Sequence, residues 1–308
     1  MSAIPFLTLD QPRYGVAVQV SPLVRRVIAN NPSKYTYHGT GTYIVGRADV
    51  AVIDPGPQLD EHRDALAAAL EGSRVRAILV THCHSDHSPL AAWLREETRA
   101  PTIAFGPHGN VEVDDDVDGT IDDGVKLEET TDTDFEPDVR VADGEVAAEG
   151  PGWTMRAVHT PGHTSNHMCY ALDEEQSLFT GDHIMGWSTT IVSPPDGNMR
   201  DYIDSLRKVM GRADGSLWPT HGAPVTEPRP YLEAFLGHRL AREAEVLAAV
   251  RSGVSNIDAM VKMMYADVRE ELHKAAARSV LSHLIKLVDD GTVTVDGKVG
   301  PKAEYTPG

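Results

Sequence analysis

Thr81-His82-Cys83-His84-Ser85-Asp86-His87 follows the apolar run Ala77–Val80 and precedes Ser88-Pro89, where a helical stretch begins. Four side chains of metal-ligand type, His82, His84, Asp86 and His87, fall within six residues. In a loop between strand and helix, residues two apart face the same way. His82 and His84 are therefore expected to converge on one ion while Asp86 and His87 turn toward a second. Neutral imidazole with carboxylate is the donor set zinc favours. A single histidine reads as an ordinary core or surface residue, but four ligand types at this spacing do not. Cys83 alternates away from its neighbours, and with a metal to supply the nucleophile it is not expected to act as one.

Three residues of the same kind follow in chain order, each at a strand end or a Gly/Pro turn. They are His163 in Thr160-Pro-Gly-His-Thr164, Asp182 in Gly181-Asp-His183, and His221 in Trp218-Pro-Thr-His-Gly222. Asp54, in Asp54-Pro55-Gly56, closes the strand candidate Val50–Ile53 with a tight turn and is better placed to hold a ligand histidine than to bind metal. His183, beside Asp182, and His167, four residues past His163, are candidates for the same supporting role. The other histidines read as structural or surface residues. The sequence has no Gly-x-Ser-x-Gly elbow and no P-loop, so neither serine hydrolysis nor a nucleotide-phosphate cradle is indicated.

Around these residues, from about Gly15 to Pro224, short β-rich runs alternate with helical ones. Strands are expected at Val16–Val20, Thr42–Val45, Val50–Ile53, Ala77–Thr81, Thr102–Phe105, Thr154–Val158, His167–Leu172 and Ser177–Thr180. Helices are expected at Glu61–Leu70, Pro89–Glu97 with Ser88 as its N-cap, and Arg200–Met210. The mixture implies sheet covered by helix. After Pro228 and Pro230 the texture changes to helices at Tyr231–Arg251, Asn256–Met264 and Arg269–Val288, then a β-ribbon at Gly291–Lys298, the pattern of a winged helix. This divides the chain into residues 1–228 and 229–308. Arg269, Lys274, Arg278 and Lys286 keep a nucleic-acid-reading role open for that module, although Glu270, Glu271, Asp289 and Asp290 balance them and favour a packing or dimerising appendage.

The 308 residues, 41% hydrophobic and 24% charged, suffice for a full core, and no apolar run approaches the ~18 residues a membrane span requires. The first residues lack a basic leader region, and two cysteines make no disulfide framework, so the cytoplasm is the expected location. The formal charge of −18 disfavours polyanionic partners unless a basic patch is segregated. Between Glu112 and Asp138, thirteen acids stand against Lys126 alone, and this stretch reads as a long solvated loop.

The series Asp54-Pro-Gly, His82 to His87, Thr-Pro-Gly-His163, Gly-Asp182 and His221-Gly resembles the metallo-beta-lactamase superfamily, whose five motifs it covers in order. Within it, Asn31-Pro-Ser with Gly39-Thr-Gly-Thr-Tyr43, His159 to His167-Met168, Ser188-Thr-Thr-Ile-Val192 and His283-Leu-Ile-Lys-Leu287 are similar to beta-lactamase-like protein 2 and its bacterial relatives. The resemblance implies an α/β fold, the αββα metallo-beta-lactamase sandwich, with a C-terminal winged-helix appendage. It also implies two zinc ions per chain, with His82, His84 and His163 holding the first, Asp86, His87 and His221 the second, and Asp182 bridging. Two zinc ions sharing a water lower its pKa from 15.7 to about 7. Asp86 and Asp182 would then orient a metal-bridging hydroxide as catalytic residues.

The expected activity is metal-dependent hydrolysis of a small acyl ester, thioester or lactone. The beta-lactamase-like protein 2 likeness offers single-stranded RNA cleavage as an alternative. A mononuclear iron persulfide dioxygenase, or a nucleic-acid-binding protein, is a third reading. A small-molecule substrate, RNA in the alternative, no membrane and a homodimer through the appendage complete the expected partners.

Overall fold

The computed structural model describes residues 4–109, 130–266 and 273–308. The first sheet has seven strands in chain order: β1 (Val18–Gln19), β2 (Val24–Ile28), β3 (Gly41–Gly46), β4 (Asp49–Ile53), β5 (Arg74–Leu79), β6 (Thr102–Ala104) and β7 (Val139–Arg140). β1 to β4 pair antiparallel and β4 to β7 parallel. A parallel step needs a crossover, and α1 (Asp60–Leu70) and α2 (Leu90–Thr98) supply two of them. The second sheet runs β12-β11-β10-β9-β8. Its strands are β8 (Val146–Gly150), β9 (Trp153–His159), β10 (Met168–Leu172), β11 (Ser177–Gly181) and β12 (Ser216–Pro219), with α3 (Met199–Met210) joining the parallel pair β11 and β12.

Side-chain alternation divides the apolar residues among three layers. Tyr43 and Val45 of β3 face the space between the sheets, with Ile53, Leu79, Met155, Tyr170 and Phe179. Ile44 points the other way, toward α1 and α2, with Val52, Leu66 and Leu94. On β10, Cys169 and Ala171 pack outward onto Tyr202, Ile203 and Leu206 of α3. Strands buried on both faces read as almost unbroken apolar runs. The result is the αββα sandwich, followed by a winged helix.

The appended part comprises α4 (Pro228–Arg251), α5 (Ile257–Met264), α6 (His273–Asp289), β13 (Val293–Val295) and β14 (Tyr305–Pro307). α4 gives Tyr231, Leu232 and Phe235 to the layer over the second sheet, and Val246, Ala249 and Val250 to a separate cluster with Met260, Leu284 and Tyr305. No helix among the described residues is long and apolar enough to cross a membrane.

The structure corrects several local expectations. β2 was not expected because its centre is Arg25-Arg26. Each arginine finds an acceptor, Arg25 Nη1 donating to the Ala69 carbonyl at 2.7 Å and Arg26 Nη1 to that of Gly222 at 3.1 Å. Ser88 does not cap α2: Pro89 holds the cap position with no side-chain hydrogen bond, and the Ser88 hydroxyl donates to Asp132 at 2.6 Å instead. The ribbon is not a hairpin within 291–298, because β13 pairs with β14, whose Tyr305 is buried. Of the acidic stretch, residues 112–129 lie outside the described residues. Its far end is an exposed loop anchored at a few points: Asp134, Glu136 and Asp138 are exposed, while Phe135 is buried and Asp138 accepts from Arg95 at 2.6 and 2.7 Å and from the Thr102 amide at 3.0 Å.

Candidate metal centre

Every motif residue lies just past the carboxyl end of a strand: Asp54 after β4, His82 to His87 after β5, His163 after β9, Asp182 after β11 and His221 after β12. The two sheets bring these ends to one edge of the sandwich, so five remote segments meet there. His82, His84, Asp86, His87, His163, Asp182 and His221 are all buried. They form three overlapping groups able to hold a metal ion: His82, His84 and His163; His82, His87 and Asp182; and Asp86, His87 and His221.

Within the three-histidine group, His82 Nε2 lies 2.9 Å from His84 Nδ1, and His163 Nε2 lies 3.1 Å from the same atom. Their protons can be assigned from the surrounding network. His163 Nδ1 sits 2.7 Å from the Ile191 carbonyl, which can only accept, so the proton is on Nδ1 and Nε2 is a lone pair. The Thr81 hydroxyl donates to Asp54 Oδ2 at 2.8 Å and so accepts from His82 Nδ1 at 3.0 Å, which leaves His82 Nε2 as a lone pair too. Two lone pairs then face one His84 nitrogen that carries at most one proton. A cation satisfies all three, and a tetrahedral zinc with bonds of about 2.0–2.1 Å spaces its nitrogens about 3.3 Å apart. Burial, reinforced by the neighbouring histidines, pushes the His84 imidazole down to about 3 and holds His82 well below its ordinary value, so both stay neutral.

The second side is organised around carboxylates. His221 Nε2 lies 3.2 Å from Asp86 Oδ2 and 3.4 Å from Asp182 Oδ1, and His87 Nε2 lies 3.4 and 3.7 Å from the same two atoms. The far nitrogens are held in place: His87 Nδ1 donates to Asp54 Oδ2 at 2.9 Å and His221 Nδ1 to the Gly39 carbonyl at 3.2 Å. Burial opposes charge on His87, but the carboxylates of Asp86, Asp54 and Asp182 outweigh it and lift the imidazole to about 9. Burial likewise opposes charge on Asp86 and Asp182, and the facing histidines more than reverse it, holding both carboxyls below the ordinary range. This half of the cluster therefore demands positive charge, which a proton or a metal can supply. Asp182 reaches both halves, with Oδ1 toward His221 and Oδ2 3.9 Å from His163 Nε2.

The supporting residues differ in what they touch. Asp54, in the left-handed region at φ 48°, accepts from the Thr81 amide, the Thr81 hydroxyl and His87. His167 Nε2 accepts the backbone N–H of Asp182 at 3.2 Å, while its Nδ1 donates to Thr160 at 2.9 Å. A methyl group on Gly181 would lie 2.7 Å from that same Nε2, so glycine is needed where the strand turns toward Asp182. His183 points elsewhere: its ring packs on Tyr202, with centroids 5.1 Å apart. Cys83 lies in the apolar layer under α2, accepts from Asn166 at 3.1 Å, and burial pushes its thiol up to about 12. Sequence reasoning missed Thr40, whose hydroxyl donates to Asp86 Oδ2 at 2.8 Å, and the carbonyls of Gly39 and Ile191. It also missed the backbone of Thr130–Asp132, which accepts from the Ser85 amide at 2.7 Å and donates to the Cys83 carbonyl at 2.7 Å, pinning the ligand loop. A small cleft lined by the ligands is also bordered by Tyr35, Met185 and Ile191.

The sequence pattern of the metallo-beta-lactamase superfamily matches residues 37–221, and that of the beta-lactamase associated winged helix domain matches residues 257–301. The chain belongs to the metallo-beta-lactamase superfamily. It is 30% identical over 89% of its length to the beta-lactamase-like protein 2 homolog of Caenorhabditis elegans, covering 87% of that chain. It is 28% identical to an atrochrysone carboxyl ACP thioesterase of Aspergillus novofumigatus, over 90% of this chain and 82% of that one. A beta-lactamase domain protein from Burkholderia ambifaria shares the fold at a TM-score of 0.78 with 22% identity, over 96% of this chain and 95% of the other. Metallo-beta-lactamase proteins are mostly metal-dependent hydrolases, and the clusters found here could hold the metal.

Proposed function

We propose that this protein is a dinuclear zinc hydrolase of a small acyl substrate, a thioester, ester or lactone. In this reading His82, His84 and His163 hold one zinc ion, Asp86, His87 and His221 the other, and Asp182 lies between them. Asp182 carries the proposal, because its two oxygens face the two ligand groups separately. Zinc ions held by these residues would supply the activation of water and of the acyl carbonyl at neutral pH. The chain's own contribution is alignment. Asp54, the Gly39 carbonyl and the Ile191 carbonyl each fix a histidine by its far N–H, and Thr40 fixes Asp86. Asp182 and Asp86, held as carboxylates by the facing histidines, would orient the attacking water by accepting its hydrogen bonds.

The acyl class is supported by the apolar border of Tyr35, Met185 and Ile191, by the net charge of −18, and by the thioesterase among the relatives. Against the RNA alternative, Lys286 pairs with Glu243 at 2.9 Å and with Asp290 at 2.8 Å, and Arg278 is turned onto the catalytic unit. Arg269 lies outside the described residues. The test is elemental analysis of the purified protein followed by turnover of acyl thioesters, lactones and labelled RNA. Close to two zinc ions and a thioester kcat/KM above about 10⁴ M⁻¹ s⁻¹ are expected. One equivalent of iron without zinc, or RNA as the faster substrate, would overturn the proposal.

A further inference from the structure

The segment Thr190–Pro194 runs between the metal centre and the appended helices, and its successive polar groups bond in alternate directions. Toward the centre, the Ile191 carbonyl accepts from His163 Nδ1 at 2.7 Å, and the Thr190 hydroxyl donates to the Asp182 and His183 carbonyls at 2.8 and 2.9 Å. Toward the appendage, the Thr190 carbonyl accepts from Arg239 Nη2 of α4. The Ser193 hydroxyl and the Pro194 carbonyl both accept from Arg278 Nη1 of α6, at 3.1 and 3.3 Å. Arg239 is buried, with its guanidinium 5.0 Å above the Tyr202 ring. Two arginines from outside the catalytic sandwich thus grip this strap on either side of the carbonyl that sets the orientation of a ligand histidine.

We propose that Arg239 and Arg278 are positioning residues for His163. They act through the strap, so that the winged-helix unit controls metal affinity at the His82, His84 and His163 group. The inference rests on the metal-site reading above. Its physical basis is that a ligand histidine is aimed by the partner of its other nitrogen, and loss of such a partner typically weakens metal binding about 10–100-fold. The Ile191 carbonyl can hold His163 only while its own peptide is held. On the far side, Arg239 holds the carbonyl of the peptide before it, at Thr190, and Arg278 holds the chain just after it, at Ser193 and Pro194.

Arg278 is the better probe, because it is only partly buried and its Nη1 contacts can be reproduced by a lysine ammonium. Zinc titration of the full-length apoprotein against a competing chelator should give two dissociation constants. In Arg278→Met one of them should rise at least tenfold while the other stays within threefold, and Arg278→Lys should restore both. Ser193→Ala, which removes an acceptor without touching the helix, should weaken the same constant. Independently of metal, the Nδ1–H proton of His163 in the apoprotein, identified by its loss in His163→Gln, should exchange at least tenfold faster in Arg278→Met.

Unchanged constants with unchanged proton exchange would overturn the inference. So would equal weakening of both sites with a fall in Tm, the mark of a merely structural role. A wild-type chain that binds no zinc would sink the metal-site reading instead, and the proton exchange rate would then decide whether the strap holds His163.

Discussion

Asp54 shows how much one residue can fix: its carboxylate gathers the Thr81 amide, the Thr81 hydroxyl and His87, and through Thr81 it also settles which nitrogen of His82 is free. An amide in its place has one accepting oxygen and must leave a buried donor unpaired, at a cost of about 1–3 kcal/mol. Asp54→Asn is accordingly expected to weaken zinc about 10–100-fold at the His87 side while the protein stays folded, as read by chelator competition. Unchanged affinity there would mean that His87 is held by its surroundings alone. His62 illustrates a different effect, because burial pushes its imidazole down to about 4 while its Nε2 donates to Thr42 at 3.0 Å. Above pH 6.5 the ring is neutral in both folded and unfolded chains, and its environment costs nothing. As the pH falls from 6.5 toward 4, the unfolded chain takes up a proton that the folded one refuses, so stability declines by about 1.4 kcal/mol per pH unit from this residue. His62→Gln removes the titration but keeps a donor for Thr42. The loss of unfolding free energy between pH 7 and pH 5, measured with urea, should shrink by about 2 kcal/mol in the variant, and an identical pH slope would show that the ring does not resist protonation.

At the level of elements, the loops that carry the ligands are held by the starts of helices and the ends of strands. The Asn198 side chain caps α3 by accepting from the Arg200 amide at 2.9 Å and that of Asp201 at 3.2 Å, while its backbone N–H donates to the Gly162 carbonyl at 2.9 Å. Asn198→Ala removes the cap and leaves the backbone bond, so a loss of about 1 kcal/mol in stability is expected with zinc stoichiometry unchanged. A variant that loses metal would show that the cap, not the backbone, keeps the His163 turn in place. The same elements explain what the sequence could disclose. Ligand side chains at strand ends are legible because residue type, turn residue and strand periodicity coincide within a few positions, as at Gly181-Asp182 and Thr81 to His87. The partners of those ligands are not legible for opposite reasons. The carbonyls of Gly39 and Ile191 carry no residue signature at all, and Thr40 reaches Asp86 across 46 positions of chain. β2 was hidden by its two arginines, whose acceptors come from α1 and from the turn after β12. The β13–β14 pairing was hidden because strand propensity at Val293–Val295 says nothing of its partner.

On the scale of the whole molecule, α4 joins two apolar clusters that no other single helix spans among the described residues. Its first turns bury Tyr231, Leu232 and Phe235 against α3 and the second sheet, and its last turns bury Val246, Ala249 and Val250 against α5 and α6. A helix propagates cooperatively once formed, so fraying at one end is resisted by packing at the other. The αββα sandwich and the winged helix should therefore unfold together, reinforced by the contacts of Arg239 and Arg278 with the strap. Phe235 is 1% exposed, and truncating it to alanine should cost about 3–5 kcal/mol. Val250→Ala lies in the other cluster and removes less apolar volume, so its cost is smaller. If α4 couples the two, calorimetry gives one transition for wild type and for both variants, with Tm lowered in each. Two resolved transitions, with Phe235→Ala moving only the one that carries the metal centre and Val250→Ala only the other, would mean that α4 is a linker and that the winged helix is stable by itself.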